Sequence, residues 1–75
     1  MTTEPHLFER IEALTGWTDA DLALHLGVGR STVQAQRSGR IQTYLTANQR
    51  HALVQALRLY RDQIADAVIE LEMLA

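Results

Sequence analysis

The chain has no cysteine, no lysine, one proline and four glycines among its 75 residues. Without cysteine it can hold neither a disulfide nor a thiolate-ligated metal. Its histidines, His6, His25 and His51, are too scattered for a zinc site; His25 and His51 read as surface residues or weak phosphate contacts. No apolar run approaches the roughly 18 residues of a membrane-spanning helix. The opening MTTEPHLFE lacks the basic start and apolar core of a signal peptide. These absences predict a cytoplasmic location away from membranes. No nucleophile–base pair or carboxylate dyad stands at a motif spacing, so no enzyme, no cofactor and no metal is expected.

A chain this short forms one domain, spanning 1–75, and buries too little surface to be robust alone. With disulfides and metals excluded, association with a second copy is the remaining way to brace it. The net charge of −2 hides an uneven distribution. Residues 1–29 carry Arg10 against Glu4, Glu9, Glu12, Asp19 and Asp21, a net −4. Residues 30–50 carry Arg30, Arg37, Arg40 and Arg50 and no acid, a net +4. Residues 51–75 carry Arg58 and Arg61 against Asp62, Asp66, Glu70 and Glu72, a net −2. Screening confines each charge to about 8 Å at physiological salt, so the central patch is a candidate polyanion footprint. Every cation is arginine, the side chain suited to bidentate contact with phosphate or guanine.

Pro5 suits a first helical turn, and Leu7, Phe8, Ile11 and Leu14 share a helical face. A first helix is therefore predicted over about 5–15, stopped by Gly16. Thr18 and Asp21 form an imperfect capping box, and Trp17 and Leu22 stand at the two positions of a hydrophobic staple. A second helix follows through Leu22, Ala23 and Leu26 and ends at Gly27, where glycine tolerates a left-handed conformation. Gly29 can cap a third helix over about 30–37. The short, glycine-containing turn between the second and third helices is what a helix-turn-helix requires. The Gly27–Gly29 pair is not a nucleotide loop, because no Gly-Lys-Ser/Thr follows and no strand precedes it. Thr46 and Gln49 make another capping box. From Ala47 to Ala75 there is no glycine or proline. Leu53, Leu57, Tyr60, Ile64, Val68 and Leu71 form one apolar stripe. This stretch is one helix, or two with a break at Arg61-Asp62. The fold class expected is all-α, a small helix-turn-helix bundle of four to five helices with a C-terminal helical dimerisation segment at about 60–75.

Winding the third helix at about 100° per residue puts Arg37, Arg30, Gln34, Ser38, Ser31 and Ala35 on one side, with Val33, Gln36 and Thr32 on the other. Arginine can pair with guanine, glutamine with adenine and serine with either, while alanine permits close approach or meets a thymine methyl. Residues near the helix start reach deepest, which favours Arg30, Ser31 and Gln34 as base readers. Arg37, Ser38 and Arg40 lie near its end and suit phosphates. Thr43, in the looser stretch that follows, is a further candidate phosphate contact.

Residues 17–39, WTDADLALHLGVGRSTVQAQRSG, resemble the helix-turn-helix of lambda-repressor-like (Cro/XRE-type) DNA-binding domains. Thr18, Leu22-Ala23, Leu26-Gly27-Val28, Val33 and Gly39 match that pattern in identity and spacing, and the resemblance covers about residues 5–58. It implies that Arg30, Ser31, Gln34 and Ala35 read bases. It also implies that the start of the second helix, at Thr18 and Asp19, approaches the DNA backbone. Asp19 is then expected to orient Arg30 through an ion pair. Two positions depart from the pattern: Gly29 replaces a serine or threonine cap, and Gln36 stands where tryptophan or leucine often packs. The tail after residue 60 has no counterpart.

Leu53, Val54 and Leu57 are expected to pack within the chain. Tyr60, Ile64, Val68, Leu71 and Leu74 exceed what a core of this size needs and are expected to form a homodimer interface. Two reading helices about 34 Å apart would match successive major grooves of double-stranded DNA. The function expected is therefore a sequence-specific repressor, homodimeric on an inverted repeat. With no room for a small-molecule effector domain, it is expected to regulate itself through its own concentration, as regulators from phages and other mobile elements do. The alternative is a helical protein-interaction module, an adaptor or antitoxin whose main partner is another protein.

Overall fold

Start and stop signals set the helix boundaries locally. The computed structural model describes residues 6–74, and among them holds four α-helices and no strand: α1 (Leu7–Thr15), α2 (Asp19–Leu26), α3 (Arg30–Arg37) and α4 (Ala47–Met73). Pro5, expected to open the first helix, lies outside the described residues; α1 begins after His6. At α2 both halves of the capping box are present: Thr18 Oγ1 accepts from the Asp21 amide at 3.2 Å, and the Thr18 amide donates to Asp21 Oδ2 at 2.9 Å. At α4 the same box joins Thr46 and Gln49, at 3.1 and 3.0 Å. Each such cap satisfies amides that the helix itself leaves unpaired.

The turn between α2 and α3 is a Schellman motif. Gly27 takes a left-handed φ of 69°. Its amide donates to Leu24 O at 3.3 Å, and the Val28 amide donates to Ala23 O at 3.1 Å. That pairing closes the carbonyl end of α2 and turns the chain sharply. Gln49 locks the corner from afar: its Nε2 donates to Leu26 O at 3.3 Å while its Oε1 serves the Thr46 cap. One amide side chain thus ties the end of α2 to the start of α4.

The core is small and drawn from all four helices. It consists of Phe8 and Ile11 of α1, Leu22, Ala23 and Leu26 of α2, Val33 of α3 and Leu53 of α4. Leu7, Trp17, Val28, Leu45 and Leu57 pack around it. Two residues expected inside stay outside: Leu14 is 70 % exposed and Val54 is 37 % exposed. Leu14 sits in the last turn of α1, beyond the reach of the other helices, and Val54 lies on the flank of α4 away from Leu53 and Leu57.

α4 is one continuous helix, with no break at Arg61-Asp62; those two side chains pair instead, Nη2 to Oδ1 at 3.3 Å. Twenty-seven residues make a rod about 40 Å long, and only its first half joins the bundle. From Arg61 to Leu74 every residue is exposed. The radius of gyration is accordingly 14.4 Å, against about 11 Å for a compact chain of this length. No helix among the described residues is long and apolar enough to cross a membrane.

Candidate nucleic-acid interface

α3 is held at its middle and free on one side. Val33 is fully buried, whereas Arg30, Ser31 and Gln34 are exposed, one turn apart along the same ridge. Arg30 forms no ion pair among the described residues. Gly29 caps the helix by backbone conformation alone, with no side-chain hydrogen bond, and no acid occupies the first turn. The positive end of the helix dipole therefore stands uncompensated beside Arg30, which favours an anion there. α2 differs, carrying Asp19 and Asp21 in its first turn.

Ala35, expected among the base readers, is buried at 5 % exposure. The reason lies in the chain that follows. After Gly39 it turns back along α3: the Ile41 amide donates to Ala35 O at 3.2 Å, and Thr43 Oγ1 reaches Gln36 O at 3.5 Å. The same return buries Thr43, also 5 % exposed, and engages its hydroxyl, so it is not placed for a phosphate. Gln36 is half-buried, which lets its amide keep contact with water in place of the apolar residue the pattern favours.

Asp19 does not orient Arg30. Its Oδ2 lies 3.3 Å from Arg37 Nη2, and Glu12 Oε2 lies 3.5 Å from Arg37 Nη1. Arg37 thus links α1, α2 and α3 through two nearly buried carboxylates, 13 % and 11 % exposed. Burial first, then the hydrogen bond and charge of Asp19, push the Glu12 carboxyl above its ordinary pKa; the Arg37 charge pulls the other way. Arg37 is therefore a structural cation whose charge is largely cancelled, not the open phosphate contact expected. Arg30 shares the rim of a depression of about 480 Å³ with Glu12, Trp17, Thr18, Asp19, Ala20 and Arg37, yet is unpaired among the described residues.

Among the remaining candidates, Thr18 is exposed but its hydroxyl is occupied within the cap. Ser38 is exposed and donates to Ala35 O at 3.1 Å. Arg40 is exposed and, like Arg50, unpaired among the described residues. His25 is half-buried, with its ring centroid 4.5 Å from that of Trp17. The described residues hold no cluster of side chains suited to a metal.

Sequence reasoning missed Glu12 and the tertiary reach of Gln49. A signal existed for Glu12: it falls four residues after Phe8 and one after Ile11, on the face of α1 that enters the core. An acid there needs a partner. Of the expected interface residues of α4, Ile64, Val68, Leu71 and Leu74 are 47 %, 47 %, 67 % and 82 % exposed. Tyr60 is half-buried and meets Trp17 of its own chain edge-on, with ring centroids 6.1 Å apart. Comparison with protein-family models, with curated proteins and with solved structures finds no match to this chain.

Proposed function

We propose that this chain is a sequence-specific double-stranded DNA-binding protein of helix-turn-helix type. It acts as a homodimeric repressor at an inverted repeat and limits its own synthesis. One observation carries the reading: α3 presents Arg30, Ser31 and Gln34 outward on a helix that has no acid and is pinned from beneath by Val33. Those side chains are the donors and acceptors that read guanine and adenine edges in a major groove. The three-residue turn from α2, closed at Gly27, supports the same reading. So does the resemblance of residues 17–39 to lambda-repressor-like domains. Arg40 and Ser38 serve the phosphates, and Arg37 holds the reading helix to α1 and α2. Repression follows from occupancy alone, by excluding polymerase, and takes place in the cytoplasm on the nucleoid.

The exposed half of α4 favours a second reading, a protein-interaction module. Leu59, Ile69 and Met73 are 60 %, 54 % and 80 % exposed and lie off the Ile64–Leu71 stripe, where a second protein could cover them.

Selection of bound sites from random duplex DNA separates the two. The repressor reading expects a palindromic consensus, and Arg30→Ala is expected to weaken binding to it by at least about tenfold without altering the helical spectrum. Affinity is expected to fall steeply with salt. Failure to enrich any sequence overturns the DNA reading.

A further inference from the structure

We infer that α4 pairs with α4 of a second copy in antiparallel orientation, and that Arg58 and Arg61 of one copy meet Glu72 of the other. This rests on the homodimer reading above and adds its geometry. Leu53, Leu57, Tyr60, Ile64, Ala67, Leu71 and Leu74 recur at alternating steps of four and three, the spacing of a coiled-coil seam. At about 100° per residue they fall within roughly 100° of one another. The first three turn toward their own chain: Leu53 is buried, Leu57 packs on the core and Tyr60 meets Trp17. Ile64, Leu71 and Leu74 continue the same face into solvent.

That continuity decides the orientation. In a parallel pair the two bundles, each packed on the seam at Leu53 and Leu57, would occupy the same space between the helices. In an antiparallel pair they sit at opposite ends. A seam centred between Ala65 and Asp66 then sets Ile64 against Ala67 of the other copy and Tyr60 against Leu71. The small Ala67 lets the helices approach closely. Each Leu74 reaches the place where Leu57 leaves the partner bundle, so the bundles act as end-stops that fix the register.

Charge agrees with this orientation. Arg58, Arg61 and Glu72 lie along one flank of the seam, and Glu70 lies along the other. Antiparallel pairing about a twofold axis brings like flanks together, so Arg61 of each copy comes beside Glu72 of the other. Parallel pairing sets Glu70 near Glu72 and gives the arginines no acid of the other copy, leaving Arg61 only its own Asp62. The antiparallel helix dipoles also oppose one another favourably. The spacing of the heads follows: Leu53 stands about 12.5 residues from the centre, so the two bundles are about 38 Å apart along α4. One turn of DNA separates half-sites by about 34–36 Å.

The test uses the full chain, with mass by light scattering and helicity by circular dichroism. Arg61→Glu and Glu72→Arg are exposed substitutions, expected to weaken the dimer by roughly tenfold and by somewhat more, because two exposed pairs in the first and four in the second turn from attractive to repulsive. Mixed one to one, the two variants are expected to form a heterodimer stronger than either variant alone. It falls short of wild-type strength by the one pair that stays repulsive, Arg58 against the new cation at position 72. The new acid at position 61 of one chain then meets the new cation at position 72 of the other, and the native Arg61 meets the native Glu72. Within one chain the double substitution R61E/E72R is likewise expected to strengthen the dimer over E72R alone. A wild-type dimer that neither substitution weakens, or that mixing does not rescue, overturns the antiparallel pairing and leaves the homodimer reading standing. A wild-type chain that stays monomeric at high micromolar concentration, with or without another protein bound on α4, overturns both.

Discussion

The bundle and the far half of α4 are made from similar residues and meet opposite fates. Leu22, Val33 and Leu53 are buried to 0 %, 0 % and 4 % exposure, while Leu71 and Leu74 on the last turns of α4 remain 67 % and 82 % exposed. Local propensity does not separate them, because both stretches form well-made helix. The difference is tertiary: residues up to about 57 have α1, α2 and α3 to pack against, and residues 61–74 have nothing to pack against among the described residues. An isolated helix of that length is marginal in water, and this one carries a run of exposed aliphatic side chains.

The widest gap between the regions is expected in the response to truncation. Leu22→Ala removes a fully buried side chain from a seven-residue core and is expected to cost about 2–5 kcal/mol, enough to unfold much of the chain in a urea titration. Leu71→Ala in dilute solution is expected to leave the urea midpoint of the bundle nearly unchanged. Equal losses at both positions would erase the distinction between bundle and rod.

Protein concentration gives the next contrast. If a second copy completes α4, the melting temperature rises with protein concentration by mass action. Ile64→Asp with Leu71→Asp is expected to abolish that rise while keeping the low-concentration midpoint. A concentration dependence that survives the double substitution would move the interface elsewhere.

Smaller effects lie within the bundle. Gly27→Ala meets no neighbour within 4 Å at its added carbon, but the φ of 69° stays. The expected loss, about 1–2 kcal/mol, is therefore conformational and is read from the same urea curve. The smallest effect concerns Glu12, whose carboxyl is pushed above its ordinary pKa. The folded chain holds that proton more tightly than the unfolded chain, so this residue's contribution to stability falls as pH rises above the ordinary carboxylate range. Glu12→Gln is expected to gain in melting temperature over the wild type from pH 4 to pH 7. A difference that does not change with pH would remove the carboxyl from the account.

Much of the bundle was legible in the chain because its signals are local. Thr18 with Asp21, Thr46 with Gln49, and Gly27 each act on backbone groups a few residues away, so spacing alone exposes them. The outward face of α3 was legible in part. Arg30, Ser31 and Gln34 lie where the helical wheel puts them, but Ala35 does not, since a wheel knows nothing of the chain that returns past it. Leu14 failed for the mirror reason: its periodicity is right, and no helix arrives to cover it.

Where helices begin and end, which segment gathers positive charge, and that an apolar stripe runs down the last helix could all be read from the chain alone. Those properties depend on short-range capping, on composition and on the fixed pitch of a helix. Which arginine is available had to wait for the packing of the helices. Glu12 and Asp19, eighteen or more residues before Arg37 in the chain, converge on it and cancel its charge, while Arg30, at the first turn of the same helix, is left open. Packing also divides the stripe on α4 into an inner half facing this chain and an outer half facing away. The three shorter helices and Trp17 in the link between α1 and α2 reach only as far as Leu57 and Tyr60, on a rod that runs to Met73.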